Sequence, residues 1–272
     1  MRPQSRYHIV FLTLFFVLMA VGQVGAKPRV ILPEDIQYHR FASRVSGAEA
    51  TWVNPAGLAI NKQLDFQYIR RFYDGKFTDD WGAVVSGDGV GIAYRSLENY
   101  RGGRYREYIF ATGTDIGRNM YWGVSYRYVK EGAGLYNKRH FWSLGLLMDT
   151  SPRVSLGAVF GNLNRGRIDG ARSQIEHVVT GTYRPSGENM IISAEIAWST
   201  DQNLADARFR AGLELFPRGQ MTFHGSFDDD GQYRIGFRFN LNRYFIVTES
   251  RSDADNNHLG TAVATGTERK LR

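Results

Sequence analysis

Nine charged or titratable residues share one kind of placement. Arg95, Arg127, Glu195, Arg208, Arg210, Glu214, His224, Arg234 and Arg238 all sit on the non-apolar phase of segments that alternate with apolar residues. On a β-strand this spacing gathers charge on one face and apolar side chains on the other. Two chemistries suit such a face once the strands curl around it. A ring of guanidinium groups would form a constriction that selects anions. In a narrow space the same arginines and glutamates would instead pair with one another and fill it. A barrel of roughly twelve strands is only modestly wider than an eight-stranded one, which side chains fill, so mutual pairing is the expected use.

Signals of catalysis are absent. His8, His39, His140, His177, His224 and His258 have no metal-ligand spacing, and no Gly-x-Ser-x-Gly elbow occurs. Gly87-Asp88-Gly89-Val90-Gly91 leads into a strand pattern rather than a helix, which makes it a hairpin turn and not a phosphate loop. Asp228-Asp229-Asp230-Gly231 lacks the spacing and closing glutamate of a calcium loop and reads as a solvated turn. The chain has no cysteine, so no disulfide framework and no thiol chemistry. The expectation is a non-enzyme with no catalytic residue, no cofactor and no metal.

The elements that position the charged face are strands. Over 233–241, Tyr233, Ile235, Phe237, Phe239 and Leu241 alternate with Arg234, Gly236, Arg238 and Asn240. Comparable segments lie at about 63–72, 80–86, 90–97, 104–114, 119–129, 139–148, 153–162, 173–184, 189–199, 206–215 and 220–227. The segment at 104–114 leaves its outer face undecided, 173–184 is mixed, and 80–86 is short for the roughly 9–11 residues of a tilted membrane strand. The links alternate between short ones rich in Gly, Pro, Asp and Ser (87–89, 115–118, 149–152, 185–187, 217–219) and longer ones (73–79, 98–103, 130–138, 163–172, 200–205). The link at 228–231 is short but falls on the long side. Tight turns on one side and longer loops on the other describe an outer-membrane β-barrel with both ends periplasmic. Tyr73, Trp81, Trp122, Tyr128, Trp142 and Trp198 near strand ends fit interfacial girdles. A soluble sandwich or lipocalin-like barrel also alternates, but the girdle and the mixed charged and small opposite face favour the membrane barrel.

Residues 1–26 carry Arg2 and Arg6, an apolar run from Ile9 to Val21, and small residues Val24, Gly25 and Ala26. This is the form of a cleaved signal peptide, with the mature chain starting at Lys27. The run is short for a spanning helix. Residues 27–62 have no strand alternation; Pro33, Glu34 and Asp35 suit the start of a short helix, and Asn54-Pro55 a turn. They read as a periplasmic segment that tucks under or into the barrel. The +7 net charge fits arginines in loops and lumen rather than a nucleic-acid surface, since export separates the chain from nucleic acid.

Residues 41–60 contain Asn54-Pro55-Ala56-Gly57-Leu58, preceded by the small residues Ser46, Gly47, Ala48 and Ala50. Placed after a signal peptide and before the first strand, this resembles the N-terminal signature of FadL-like and PorV-like outer-membrane proteins. The strand pattern extends the resemblance loosely to residue 241. It implies a 14-stranded barrel with a small N-terminal plug holding 42–59, and passage of hydrophobic substrates. Similar barrels also precede SppA-like peptidase domains or stand beside secretion machinery, which implies a scaffolding alternative. The chain is much shorter than a fatty-acid transporter and has smaller outer loops. Arg234-x-Gly236-x-x-Phe239-x-Leu241 resembles the signal read by the barrel-assembly machinery, an amphipathic edge strand suited to strand addition.

The sequence therefore predicts an all-β, antiparallel transmembrane barrel of about twelve strands over 63–241, after a signal peptide (1–26) and a plug segment (27–62). Tyr244–Glu249 and Leu259–Thr267 would raise the count to fourteen; otherwise 242–272 is a tail, ending in the basic run Glu268–Arg272. The expected location is the cell outer membrane. The expected function is a passive, porin-like channel or transporter for small or hydrophobic solutes, or else a barrel that anchors a periplasmic or secretion partner. Expected partners are outer-membrane lipid, lipopolysaccharide and the barrel-assembly machinery. Arg101, Arg104, Lys130, Lys138, Arg139, Arg165, Arg167 and Arg172 in the outer loops suit pairing with lipopolysaccharide phosphates.

Overall fold

The structure is a computed structural model that describes residues 40–61, 63–98, 104–131, 137–168, 171–185, 189–218 and 220–270. The signal-peptide reading and the helix start at Pro33 lie outside these residues. The strands are β1 (Gln63–Tyr73), β2 (Lys76–Gly87), β3 (Val90–Glu98), β4 (Arg104–Gly117), β5 (Met120–Glu131), β6 (Arg139–Ser151), β7 (Val154–Gly161), β8 (Arg167–Ile168), β9 (Ala171–Arg172), β10 (Glu176–Tyr183), β11 (Met190–Ser199), β12 (Arg208–Arg218), β13 (Met221–Asp228), β14 (Tyr233–Leu241), β15 (Tyr244–Ser252) and β16 (His258–Lys270). Fourteen of them close an antiparallel barrel; β8 and β9 form a separate ribbon within one loop. Each barrel strand pairs with its neighbours in sequence, and β16 closes onto β1 with Gln63 opposite Lys270.

Alternation along the strands decides what each face meets. Leu64, Phe66, Val85, Ile92, Phe110, Trp122, Trp142, Leu146, Leu156, Leu213, Phe223, Phe237 and Ile246 point outward and are exposed, as an apolar band does when lipid replaces water around it. Rings run along the loop end of this band: Trp81, Tyr94 and Tyr108 stand in succession at centroid distances of 4.9 and 5.1 Å, Tyr126 meets Trp142 at 5.0 Å, and His177 stacks on Trp198 at 5.1 Å. Among the described residues no helix is long and apolar enough to cross a membrane.

The inward face departs from expectation. Charged and small residues are there, but so is an apolar core: Ile69, Val84, Leu97, Tyr105, Ile109, Val129, Phe141, Phe245 and Val247 are buried inside the barrel. This is why hydropathy leaves the outer face of 104–114 undecided. In β4 the inward residues Tyr105 and Ile109 are as apolar as the outward Tyr108 and Phe110, so hydropathy carries no phase.

Three boundaries also change. The short segment at 80–86 is a 12-residue strand, β2. Asp79 and Asp80 break its hydropathy, yet Asp80 is an inward carboxylate that accepts from the Glu98 amide at 2.7 Å and faces Arg71 at 3.7 Å. The link read as 73–79 is a two-residue turn, Asp74-Gly75, with both residues at positive φ. Residues 244–270 are the last hairpin and complete the wall. Several of their outward positions carry hydroxyls, with Thr248 opposite Val263 and Ser250 opposite Thr261 beside the apolar Ile246, so the apolar signal is faint. It follows that β14 is hydrogen-bonded on both sides, to β13 and β15, and is not the terminal edge strand that its Arg234–Leu241 signature suggested.

A chain ending at Leu241 would leave β14 and β1 with open edges in the membrane, where every unpaired backbone group costs several kcal/mol. Gel electrophoresis with and without boiling should give the full chain a heat-dependent mobility shift and the truncated chain none.

Candidate functional site

Residues 40–61 lie inside the barrel. Asn54-Pro55 sets their path. Asn54 is extended (φ −148°, ψ 105°) and Pro55 opens a 3-10 turn, Pro55–Ala59, in which its missing N–H loses nothing. The fully buried Asn54 side chain makes all its hydrogen bonds to backbone. Its amide nitrogen donates to Ala42 O at 2.9 Å and to Leu146 O of β6 at 3.0 Å, and its oxygen accepts from the Ala56 amide at 3.2 Å. One side chain thus ties together both limbs of the plug and the barrel wall.

The wall recedes where the plug touches it. Gly113, Gly123 and Gly145 stand directly opposite one another across β4, β5 and β6. A Cβ at Gly113 or Gly123 would overlap the Pro55 backbone, and one at Gly145 would overlap Asn54 Oδ1. Gly91 in the same way faces Thr51, Gly157 the Ala42 backbone, and Gly212 the Phe41 ring. Glycine is required here for space rather than for backbone conformation. Gly47 differs: its φ of 61° turns the plug so that the Ala48 amide donates to Asp65 Oδ2 at 3.3 Å. A hydroxyl relay from Ser43 to Thr182 (2.7 Å) and on to Ser193 (2.8 Å) fixes the other limb to β10 and β11.

Trp52 extends from the plug into the apolar core beside Ile69, Ile109 and Val129, and the Arg95 guanidinium lies 5.5 Å above its ring. Around this contact the charged face resolves into ion pairs. Arg95 pairs with Glu107, whose other oxygen takes Arg127 at 2.9 Å. Glu195 meets Arg210 at 3.2 Å, and Arg210 reaches Asp228 at 3.8 Å. His224 and Arg234 both face Glu249, at 3.1 and 3.7 Å. Glu49 of the plug takes Arg40 at 3.0 Å and Arg238 at 3.4 Å, and Glu214 faces Arg40 at 3.7 Å. Arg208 alone of the nine is exposed, at the loop end. Five partners were missed in the sequence. Glu107 and Glu249 sit in weakly patterned strands, Arg40 and Glu49 in a segment with no alternation, and Asp228 in what reads as a turn.

The remaining candidates separate. Asp228, Asp229 and Asp230 bring carboxylate oxygens within 4.8 Å of one another, but Asp228 is committed to Arg210 and to the Gln232 amide at 3.0 Å. Burial, reinforced by Asp230 and Asp228, holds the Asp229 carboxyl above the usual carboxylate range. In the outer loops Arg104 pairs with Asp79 at 3.3 Å and Arg165 with Asp201 at 4.0 Å. Arg101 and the side chains of Arg167 and Arg172 lie outside the described residues.

No protein-family model matches this sequence, and no curated protein is detectably similar to it. Solved structures are similar in fold. The toluene transporter TodX of Pseudomonas putida superposes with a TM-score of 0.55 at 10% identity, over 85% of this chain and 96% of that one. The outer membrane protein Omp33 of Acinetobacter baumannii gives 0.51 at 11% identity, over 77% of this chain and 98% of that one. The chain has the fold of an outer-membrane β-barrel.

Two substitutions test the seat of the plug. Gly145→Ala pushes a methyl into Asn54, and Asn54→Ala leaves buried backbone groups without partners; each should cost about 1–3 kcal/mol. Gly161→Ala, where the nearest atom would be 3.5 Å away, should be close to neutral. Thermal unfolding followed by circular dichroism gives all three.

Proposed function

We propose that this chain is an outer-membrane channel of the FadL-like and PorV-like kind, closed by its own N-terminal plug, that admits small hydrophobic solutes. The turn end, with both barrel termini, then faces the periplasm and the loop end faces outward. The observation that carries this reading is the apolar core inside the lumen. Ile69, Leu97, Ile109, Val129 and Val247 pack together inside the barrel at 0–2% exposure. A water-filled ion channel has polar walls, whereas an apolar interior offers an uncharged solute the transfer free energy that water denies it. The apolar lining and the seated plug with its Asn-Pro turn agree with the resemblance drawn from 41–60, and the similarity in fold to a toluene transporter supports the same class.

The ion pairs that fill much of the lumen favour a second reading, in which the barrel is a structural anchor for a periplasmic partner and nothing passes. The two separate on uptake. Cells carrying the chain should take up labelled toluene several-fold faster than cells without it. Ile109→Gln, which places an amide in the apolar core, should remove most of that gain while the heat-dependent gel shift persists. Equal uptake with and without the chain would leave the structural reading.

A further inference from the structure

We propose that the polar cavity at the turn end, beside the plug, is a binding site for a small oxyanion, a phosphate group above all. This does not rest on the transport reading. The cavity measures about 270 Å³ and is lined by four arginines, Arg40, Arg44, Arg238 and Arg243, with the carboxylates Glu49, Asp65 and Glu214.

The charges are unevenly used. Glu49 lies between Arg40 and Arg238, and Glu214 faces Arg40. Arg44 and Arg243 have no carboxylate within ion-pair distance among the described residues. Arg44 is the sharper case. It comes from the plug, its Nε is buried, and no hydrogen-bond acceptor reaches that nitrogen. A buried donor with no acceptor is destabilising by itself. A second cation stands nearby. Arg184, just past the end of β10, donates to Ser155 Oγ at 2.9 Å, and its guanidinium is held below its usual range by burial and then by the charge of Arg44, against the opposing pull of Asp149 and Glu214. Arg44 is thus a cation on the wall of an open polar cavity, without a carboxylate partner among the described residues, and it gains most from an anion bound there. The planar fork of a guanidinium matches an oxyanion with two parallel hydrogen bonds, which an uncharged solute cannot offer. Asn240 and Asn242 add amide donors to the lining. The volume accepts a phosphate with a small substituent, so the source is either the free ion or a lipid headgroup.

The test is isothermal titration of the full chain in non-ionic detergent, with inorganic phosphate and, separately, with dihexanoyl phosphatidic acid below its micellar concentration. Saturable binding of either probe is expected, weakened at least tenfold by Arg44→Gln and clearly by Arg243→Gln. Arg153→Gln, an exposed arginine of another turn at the same end, should bind like the parent. Binding of both probes identifies the phosphate group itself as the ligand, and binding of the lipid alone identifies a headgroup. Arg243 is exposed in a turn, so its variant keeps the test valid if Arg44→Gln does not fold, as judged by the heat-dependent gel shift. Failure of both probes to saturate by about 10 mM, well past the millimolar affinities of weak ligands, overturns the proposal. So does equal weakening by Arg153→Gln.

Discussion

The structure depends on one steric fact: backbone can lie against the inner wall of this barrel only where the wall has no side chains. Interiors are packed like organic crystals, so a strand of plug needs room made for it residue by residue. Gly113, Gly123 and Gly145 make that room on three adjacent strands, and Gly91, Gly157 and Gly212 extend it. Asn54 then supplies what the plug backbone lacks, since chain in irregular conformation inside a barrel must still satisfy its amides and carbonyls. Space and hydrogen bonding are set by residues far apart in sequence that meet at one point, Asn54 against Gly145 and Leu146.

With the plug seated, the rest of the lumen has an order. Trp52 closes the apolar core on one side, and Glu49 gathers Arg40 and Arg238 on another. Buried ion pairs of this kind contribute little net stability, because desolvation offsets their attraction, but removing one partner is costly. They therefore fix where the plug sits more than how tightly it is held. The interior combines a packed apolar core with several clusters of ion pairs, one of them at the turn end beside the plug.

Much of this was legible in the sequence. The charged inward positions, the outward band, the girdle and the Asn-Pro turn all follow from a period of two and from turn chemistry. What was not legible has one cause. Hydropathy tells faces apart only when the faces differ. In β4 both are apolar, through Tyr105 and Ile109 inside and Tyr108 and Phe110 outside. In β15 and β16 both are mixed, because Thr248, Ser250 and Thr261 lie outside. In β2 the inward Asp80 mimics a loop. The partners Glu107 and Glu249 were hidden in those same weak strands. The glycine wall was visible only as high glycine content, since its meaning lies in register across strands and not in any one of them.

The central claim is that residues 40–61 are seated inside the barrel, and the absence of natural cysteine makes a direct test simple. Ser43 Oγ of the plug lies 2.7 Å from Thr182 Oγ1 of β10. In a Ser43→Cys, Thr182→Cys double variant, oxidation of the folded barrel should form an intramolecular disulfide, seen as a changed mobility on non-reducing gels and as loss of maleimide labelling. Two freely labelled thiols in a folded, heat-modifiable barrel would mean that the plug is not seated against its wall, and would contradict the account.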